Sequence, residues 1–150
     1  MIKDIMTKEV ITVKEDDTAE KCARLLSQNN LSGLPVLDDN GKLVGMVTEG
    51  DLIRRASELD GPAYLEIFGG IFYLDSPKEY MDKLRRSMGQ IVRDIMTRDI
   101  VTAKLNDKVE DVATVLVRNK LKRLPVVDED RSVIGIVSRK DIMNYLFRTE

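Results

Sequence analysis

The chain has 150 residues, 43% of them apolar and 33% charged, with a net charge of −2 at neutral pH. That balance describes a soluble globular protein with a real core and excludes a disordered chain or a dedicated nucleic-acid binder, whose domain carries a marked basic excess. No apolar run approaches the roughly 18 residues of a membrane-spanning helix.

The start, Met1-Ile2-Lys3-Asp4, carries an acid early and no long apolar run, so no signal peptide is expected. The single cysteine, Cys22, has no internal disulfide partner, which fits a cytoplasmic location. After Asp4-Ile5-Met6-Thr7 comes a β-rich run, Val10-Ile11-Thr12-Val13. Asp17 and Glu20 have the spacing of a helix N-terminal capping arrangement. Behind them Ala19, Cys22, Ala23 and Leu26 recur at i, i+3, i+4 and i+7, one apolar helix face. Two apolar runs, Leu34–Leu37 and Leu43–Val47, flank an Asp38-Asp39-Asn40-Gly41 turn and predict a hairpin. A second helix opens at Thr48.

Residues 57–92 hold Tyr64, Phe68, Phe72, Tyr73 and Tyr80, five of the seven aromatic residues. Gly61-Pro62 and Gly69-Gly70 punctuate this insert, and Ser76-Pro77 predicts a helix running to Met88. Such a segment either packs over its neighbours or a dimer contact, or docks a partner or gates a cleft.

From Asp94 the chain repeats itself. Residues 94–146 align with 4–56 without a gap, 90 positions apart: Asp94-Ile95-Met96-Thr97, the run Ile100-Val101-Thr102, the Asp107 and Glu110 pair, and the face Val109, Val112, Ala113 and Leu116. Leu124-Pro125-Val126, Gly135 and Asp141 repeat Leu34-Pro35-Val36, Gly45 and Asp51, and Ser138 repeats Thr48. Each copy reads β-α-β-β-α, too small to cover its own apolar face, so two copies are expected to pack together. The expected division is 1–56, an insert 57–92, and 93–150.

The ordered set Asp-Ile-Met-Thr, Leu-Pro-Val-Val-Asp, Gly-Ile-Val-Ser and Ser-x-x-Asp resembles the cystathionine-β-synthase domain family, in which paired CBS units form a pseudo-twofold α+β module. The resemblance implies two clefts for adenosine-containing ligands (AMP, ADP, ATP, S-adenosylmethionine or NAD), a homodimer, and a sensor acting on another protein. It covers the two copies and leaves the insert, expected to be largely helical, without a counterpart.

Ser138-x-x-Asp141 is itself a helix cap in pattern. The resemblance adds a second reading, in which Asp141 accepts from ribose hydroxyls and Ser138 lies near ribose or phosphate; a carboxylate can accept from both hydroxyls of a diol. It also brings Lys122, Arg123 and Lys140 to the phosphate and ribose of that main cleft, with Ile11, Ser32 and Gly33 against adenine and Ile136 beside them. The second cleft would hold Thr48, Asp51 and Val101, with Glu49 nearby. Met6, Thr7, Met96 and Thr97 would edge the two clefts. Because Ser32-Gly33 and Glu49-Gly50 become Lys122-Arg123 and Arg139-Lys140, the clefts are expected to be unequal, with the Asp141 cleft favouring phosphorylated adenosine.

A catalytic reading finds little support, because the chain has no histidine and Cys22 sits on an apolar helix face. The acidic runs Glu15-Asp16-Asp17 and Asp128-Glu129-Asp130 lack calcium-loop spacing, Gly69-Gly70 lacks a phosphate-loop pattern, and no metal is expected. The expected function is therefore a regulatory nucleotide sensor. A protein-interaction scaffold acting through residues 57–92 is the alternative.

Overall fold

The computed structural model describes residues 1–58, 64–67, 70–73, 78 and 90–148. Chain order is a 3-10 turn (Ile2–Asp4), β1 (Val13–Lys14), α1 (Ala19–Gln28), β2 (Gly33–Leu37), β3 (Leu43–Thr48), α2 (Glu49–Glu58), β4 (Tyr64–Ile67), β5 (Gly70–Tyr73), α3 (Val92–Ile95), α4 (Val109–Arg118), β6 (Arg123–Val127), β7 (Val133–Ser138) and α5 (Arg139–Leu146).

In the first copy β1 runs parallel to β2, and β2 pairs antiparallel with β3, Val36 opposite Gly45. In the second, β6 and β7 pair in the same register, Val126 opposite Gly135, and a single parallel bridge from Ala103 to Val126 stands where β1 stood. The bulges between Val36 and Leu37 and between Val126 and Val127 recur too. The carboxylates of Asp38 and Asp128 close the hairpin turns, each accepting two backbone amides at 2.9 Å.

Two expectations shift. The β-rich runs at 10–13 and 100–102 become strand only at Val13–Lys14 and at the Ala103 bridge. Asp17 and Asp107 do not cap the following helices. Their carboxylates accept the amides of Lys14 (2.8 Å) and Lys104 (2.9 Å), and Thr18 is the N-cap of α1, accepting from the Lys21 amide at 3.2 Å. An aspartate placed just before a helix can bond backward to close the preceding turn, and here that bond wins.

The first-copy core holds Val13, Ala19, Cys22, Leu26, Leu34, Val36, Val47 and Leu52, and the second holds the counterparts Ala103, Val109, Val112, Leu116, Leu124, Val126, Val137 and Ile142. Each buried aliphatic side chain contributes roughly 1.5–3 kcal/mol. The cores also exchange pieces. Ile2 completes the second core and Val92 the first, both fully buried. Ile2 and Lys3 donate their amides to the carbonyls of Asp107 and Leu105 at 3.0 Å, while Val92 and Arg93 donate to Asp17 (2.8 Å) and Glu15 (3.0 Å). Thr7 bridges Ile136 on β7, and Thr97 bridges Met46 on β3. The division at 56 and 93 follows the repeat, whereas the packing hands each opening segment to the other copy.

Gly45 and Gly135 make that exchange possible. A Cβ on Gly45 would stand 2.8 Å from the Thr97 carbonyl oxygen, and one on Gly135 2.5 Å from the Met6 sulfur. On the pseudo-twofold axis Lys42 bridges Ser132, its own counterpart, and the Leu43 amide bonds the Arg131 carbonyl at 3.0 Å.

Within the insert, β4 and β5 form an antiparallel pair, Tyr64 opposite Tyr73, where the sequence suggested helix. The helix expected from Ser76 to Met88, with Phe68 and Tyr80, lies outside the described residues, apart from Lys78, which is helical.

Candidate functional site

Helix α2 starts where β3 ends, so Thr48 and Asp51 fall at the boundary between the copies. Thr48 Oγ1 accepts the Asp51 amide at 3.2 Å, and Asp51 Oδ2 accepts the Thr48 amide at 3.0 Å. Ser138 and Asp141 make the same reciprocal cap on α5, at 3.1 and 2.9 Å. The capping reading of both tetrads therefore holds, and it leaves each aspartate's Oδ1 for other work. In the first copy Oδ1 accepts from Arg54 Nη2 and, at 3.1 Å, from Thr97 Oγ1, and Asp51 is buried. In the second, Asp141 Oδ1 makes no hydrogen bond among the described residues.

A cavity of about 700 Å³ opens in front of Asp51. Its first-copy wall carries Ser32, Gly33, Met46, Thr48, Glu49, Asp51 and Arg54. Thr97, Asp99, Ile100 and Val101 cross its floor, and residues 119–125 form the opposite wall. Of the expected residues it gathers Thr48, Asp51, Val101, Ser32, Gly33, Lys122 and Arg123. Ile11, Ile136, Ser138, Lys140 and Asp141 do not border it. Lys122 and Arg123, expected at the Asp141 cleft, line the wall of the Asp51 cavity. β6 begins at Arg123, opposite Ser138, and the turn before it ends at the copy boundary, facing α2.

Arg123 has an acidic side chain of each copy near it, Glu49 and Asp141. Burial pulls its guanidinium below the ordinary arginine value, and the carboxylates of Glu49 and Asp141 oppose that pull. Its Nε is buried with no hydrogen-bond partner among the described residues. A buried donor left unmatched costs about 1–3 kcal/mol, which an incoming acceptor would recover.

The sequence reading missed Arg54, Asp99, Asn119 and Lys120 on the cavity wall. Arg54 was detectable in principle, since it follows Asp51 at i+3, the helical spacing for an ion pair. Among the described residues no cluster of acidic or cysteine side chains could hold a metal. No described helix is long and apolar enough to cross a membrane.

The family model for the CBS domain matches residues 2–58 and 92–148. The chain belongs to the CBS domain family. This CBS-domain pair is 35% identical to the uncharacterized protein MJ1426 of Methanocaldococcus jannaschii, over 97% of its own length and 90% of the relative. It spans only 22% of the inosine-5'-monophosphate dehydrogenase of the same organism, at 31% identity, and 42% of MJ1225. Among solved structures, MJ1225, described as an archaeal homolog of g-AMPK, superimposes with a TM-score of 0.76 at 30% identity, covering 97% of this chain and 47% of that one. CBSX2 of Arabidopsis thaliana in complex with AMP gives 0.73 at 28% identity, covering 97% and 94%. The CBS domain pair of MJ0100, bound to 5'-methylthioadenosine and S-adenosylmethionine, gives 0.72 at 27% identity, covering 97% and 94%.

Proposed function

We propose that this CBS-domain pair is a regulatory module that binds an adenosine-containing nucleotide at the boundary of its two copies. The observation that carries this reading is the cavity of about 700 Å³ with a buried carboxylate, Asp51, on one wall and Lys122 and Arg123 on the other. A carboxylate accepts from a ribose diol, a guanidinium forks onto phosphate oxygens, and the amides at the start of α2 favour an anion. The AMP and S-adenosylmethionine complexes of CBSX2 and MJ0100 support the ligand class. With both cations on its wall, the Asp51 cavity suits a phosphorylated adenosine.

Under the 90-residue equivalence, Ile11, Ser32, Gly33, Ile136, Ser138, Lys140 and Asp141 would form a second cleft related by the pseudo-twofold. A ligand touching both copies shifts their relative arrangement only by its differential affinity for the two states, and that shift would be read by a partner protein. Self-association into a homodimer belongs to the same proposal. The exposed, equivalent Ile53 and Met143 on α2 and α5 support it.

A thermal-shift panel of AMP, ADP, ATP, S-adenosylmethionine and NAD tests the reading. At 100 times its dissociation constant a ligand adds about 2.7 kcal/mol, a rise of about 5–10 °C for a chain of this size. No rise with any of the five overturns it.

A further inference from the structure

The two capping aspartates have different company. Asp51 Oδ1, the oxygen not used by the cap, already accepts from the Arg54 guanidinium and from the Thr97 hydroxyl at 3.1 Å. Asp141 Oδ1 accepts nothing among the described residues, and the counterpart of Arg54 in α5 is Asn144, an exposed neutral side chain. Two differences separate the otherwise equivalent helix starts: Arg54 at i+3 becomes Asn144, and the Thr97 hydroxyl bonds Asp51 where that of its counterpart Thr7 bonds nothing among the described residues.

An oxygen with two acceptor directions that already takes two donors has none left for a diol. A ribose diol that takes both carboxylate oxygens of Asp51 must therefore displace Arg54 or Thr97 from Oδ1. Arg54 is the one that can leave, because its side chain is 67% exposed and sits on the solvent side of a carboxylate that is only 3% exposed. Thr97 is tied to β3 through two backbone bonds with Met46, at 2.8 and 2.9 Å. Asp141 asks for no such exchange.

We infer that Arg54 is a specificity-determining residue that occupies the diol-accepting edge of Asp51, so that the Asp141 cleft fills first and the Asp51 cavity second. This rests on the nucleotide reading above. The cations Lys122 and Arg123 still favour a phosphate in the Asp51 cavity, and Arg54 sets the concentration at which it is reached.

Calorimetric titration with AMP tests this in proteins that keep one working aspartate. In a D141N background, Arg54→Asn should tighten binding about twofold to fivefold, the scale of one solvent-facing ion pair removed. In a D51N background the same change should leave affinity where it was. The reciprocal Asn144→Arg in the D51N background should weaken binding by a similar factor. Arg54→Gln repeats the measurement if Arg54→Asn folds poorly, and melts without nucleotide report folding. Unchanged affinity in the D141N background overturns the inference while leaving nucleotide binding intact. Failure of wild-type protein and every variant to bind AMP or any other nucleotide of the panel removes the reading beneath it as well.

Discussion

The backbone amide of Val92 bonds the carbonyl of Asp17 at 2.8 Å, and the Val92 side chain is fully buried among first-copy residues. The opening of the second copy is thus a structural part of the first. Val92→Ala removes two methyl groups from that core and should destabilise the protein by about 2 kcal/mol. Hydrogen exchange locates the damage. Amides of β2 and β3, such as those of Val36 and Val47, should lose protection although the change lies in the second repeat. Loss confined to residues 93–148 would contradict the exchange of segments.

The same exchange places Thr97 against Asp51. Thr97→Val removes a hydroxyl that bonds a buried carboxylate and should cost about 1–2 kcal/mol in a denaturant melt. Thr7→Val, the equivalent change, should cost markedly less, because the Thr7 hydroxyl makes no hydrogen bond among the described residues. Equal losses would mean that the two caps are alike in solution.

Glycine substitutions probe the crossing itself. A Cβ at Gly45 meets a backbone carbonyl, that of Thr97, at 2.8 Å, which side-chain rotation cannot relieve. At Gly135 the nearest obstacle is the Met6 side chain, which can turn aside, with the Thr7 carbonyl further off at 3.1 Å. Gly45→Ala should therefore cost about 2–3 kcal/mol and Gly135→Ala about 1–2 kcal/mol, read as the difference between their melts.

Much of this was legible in the sequence, and for local reasons. The helix faces of Ala19, Cys22 and Leu26 and of Val109, Val112 and Leu116 follow from 3.6-residue periodicity, and the hairpins follow from two apolar runs around an acidic turn. Thr48 with Asp51 and Ser138 with Asp141 were visible as caps because the cap is a local bond. The exchange of Ile2 and Val92 was not visible, since gapless alignment says which residues are equivalent and not which copy each packs into. Which cleft Lys122 and Arg123 border was not legible for the same reason: residues near a pseudo-twofold axis can face either cleft. The antiparallel pair of Tyr64–Ile67 with Gly70–Tyr73 was read as part of a helical insert, because Gly69-Gly70 was taken in the sequence as punctuation alone.

Cys22 offers a reporter of core opening. Burial pushes its thiol up to about 11, and the charge of Asp17 adds to the rise. Since the thiolate is the reactive form, a disulfide reagent at pH 8 should label native protein very slowly and unfolded protein quickly. Rapid native labelling would show that α1 separates readily from its sheet.

Acid should act on the loop that receives Val92. Partial burial alone would raise the Asp17 carboxyl, but the Lys14 amide and the Lys21 ammonium outweigh it and hold the group below its ordinary value. A carboxylate depressed in the folded state adds stability that is fully present above its unfolded value, near pH 4, and lost as pH falls through the lower folded value. Asp17→Asn keeps an oxygen for the Lys14 amide and drops the charge attraction to Lys21 and, more weakly, Lys14, half-exposed interactions worth about 0.5 kcal/mol. The variant should melt slightly lower than wild type at pH 7, and the two curves should converge below pH 4. A gap that persists or widens in acid would mean that the charge of Asp17 does not stabilise the fold.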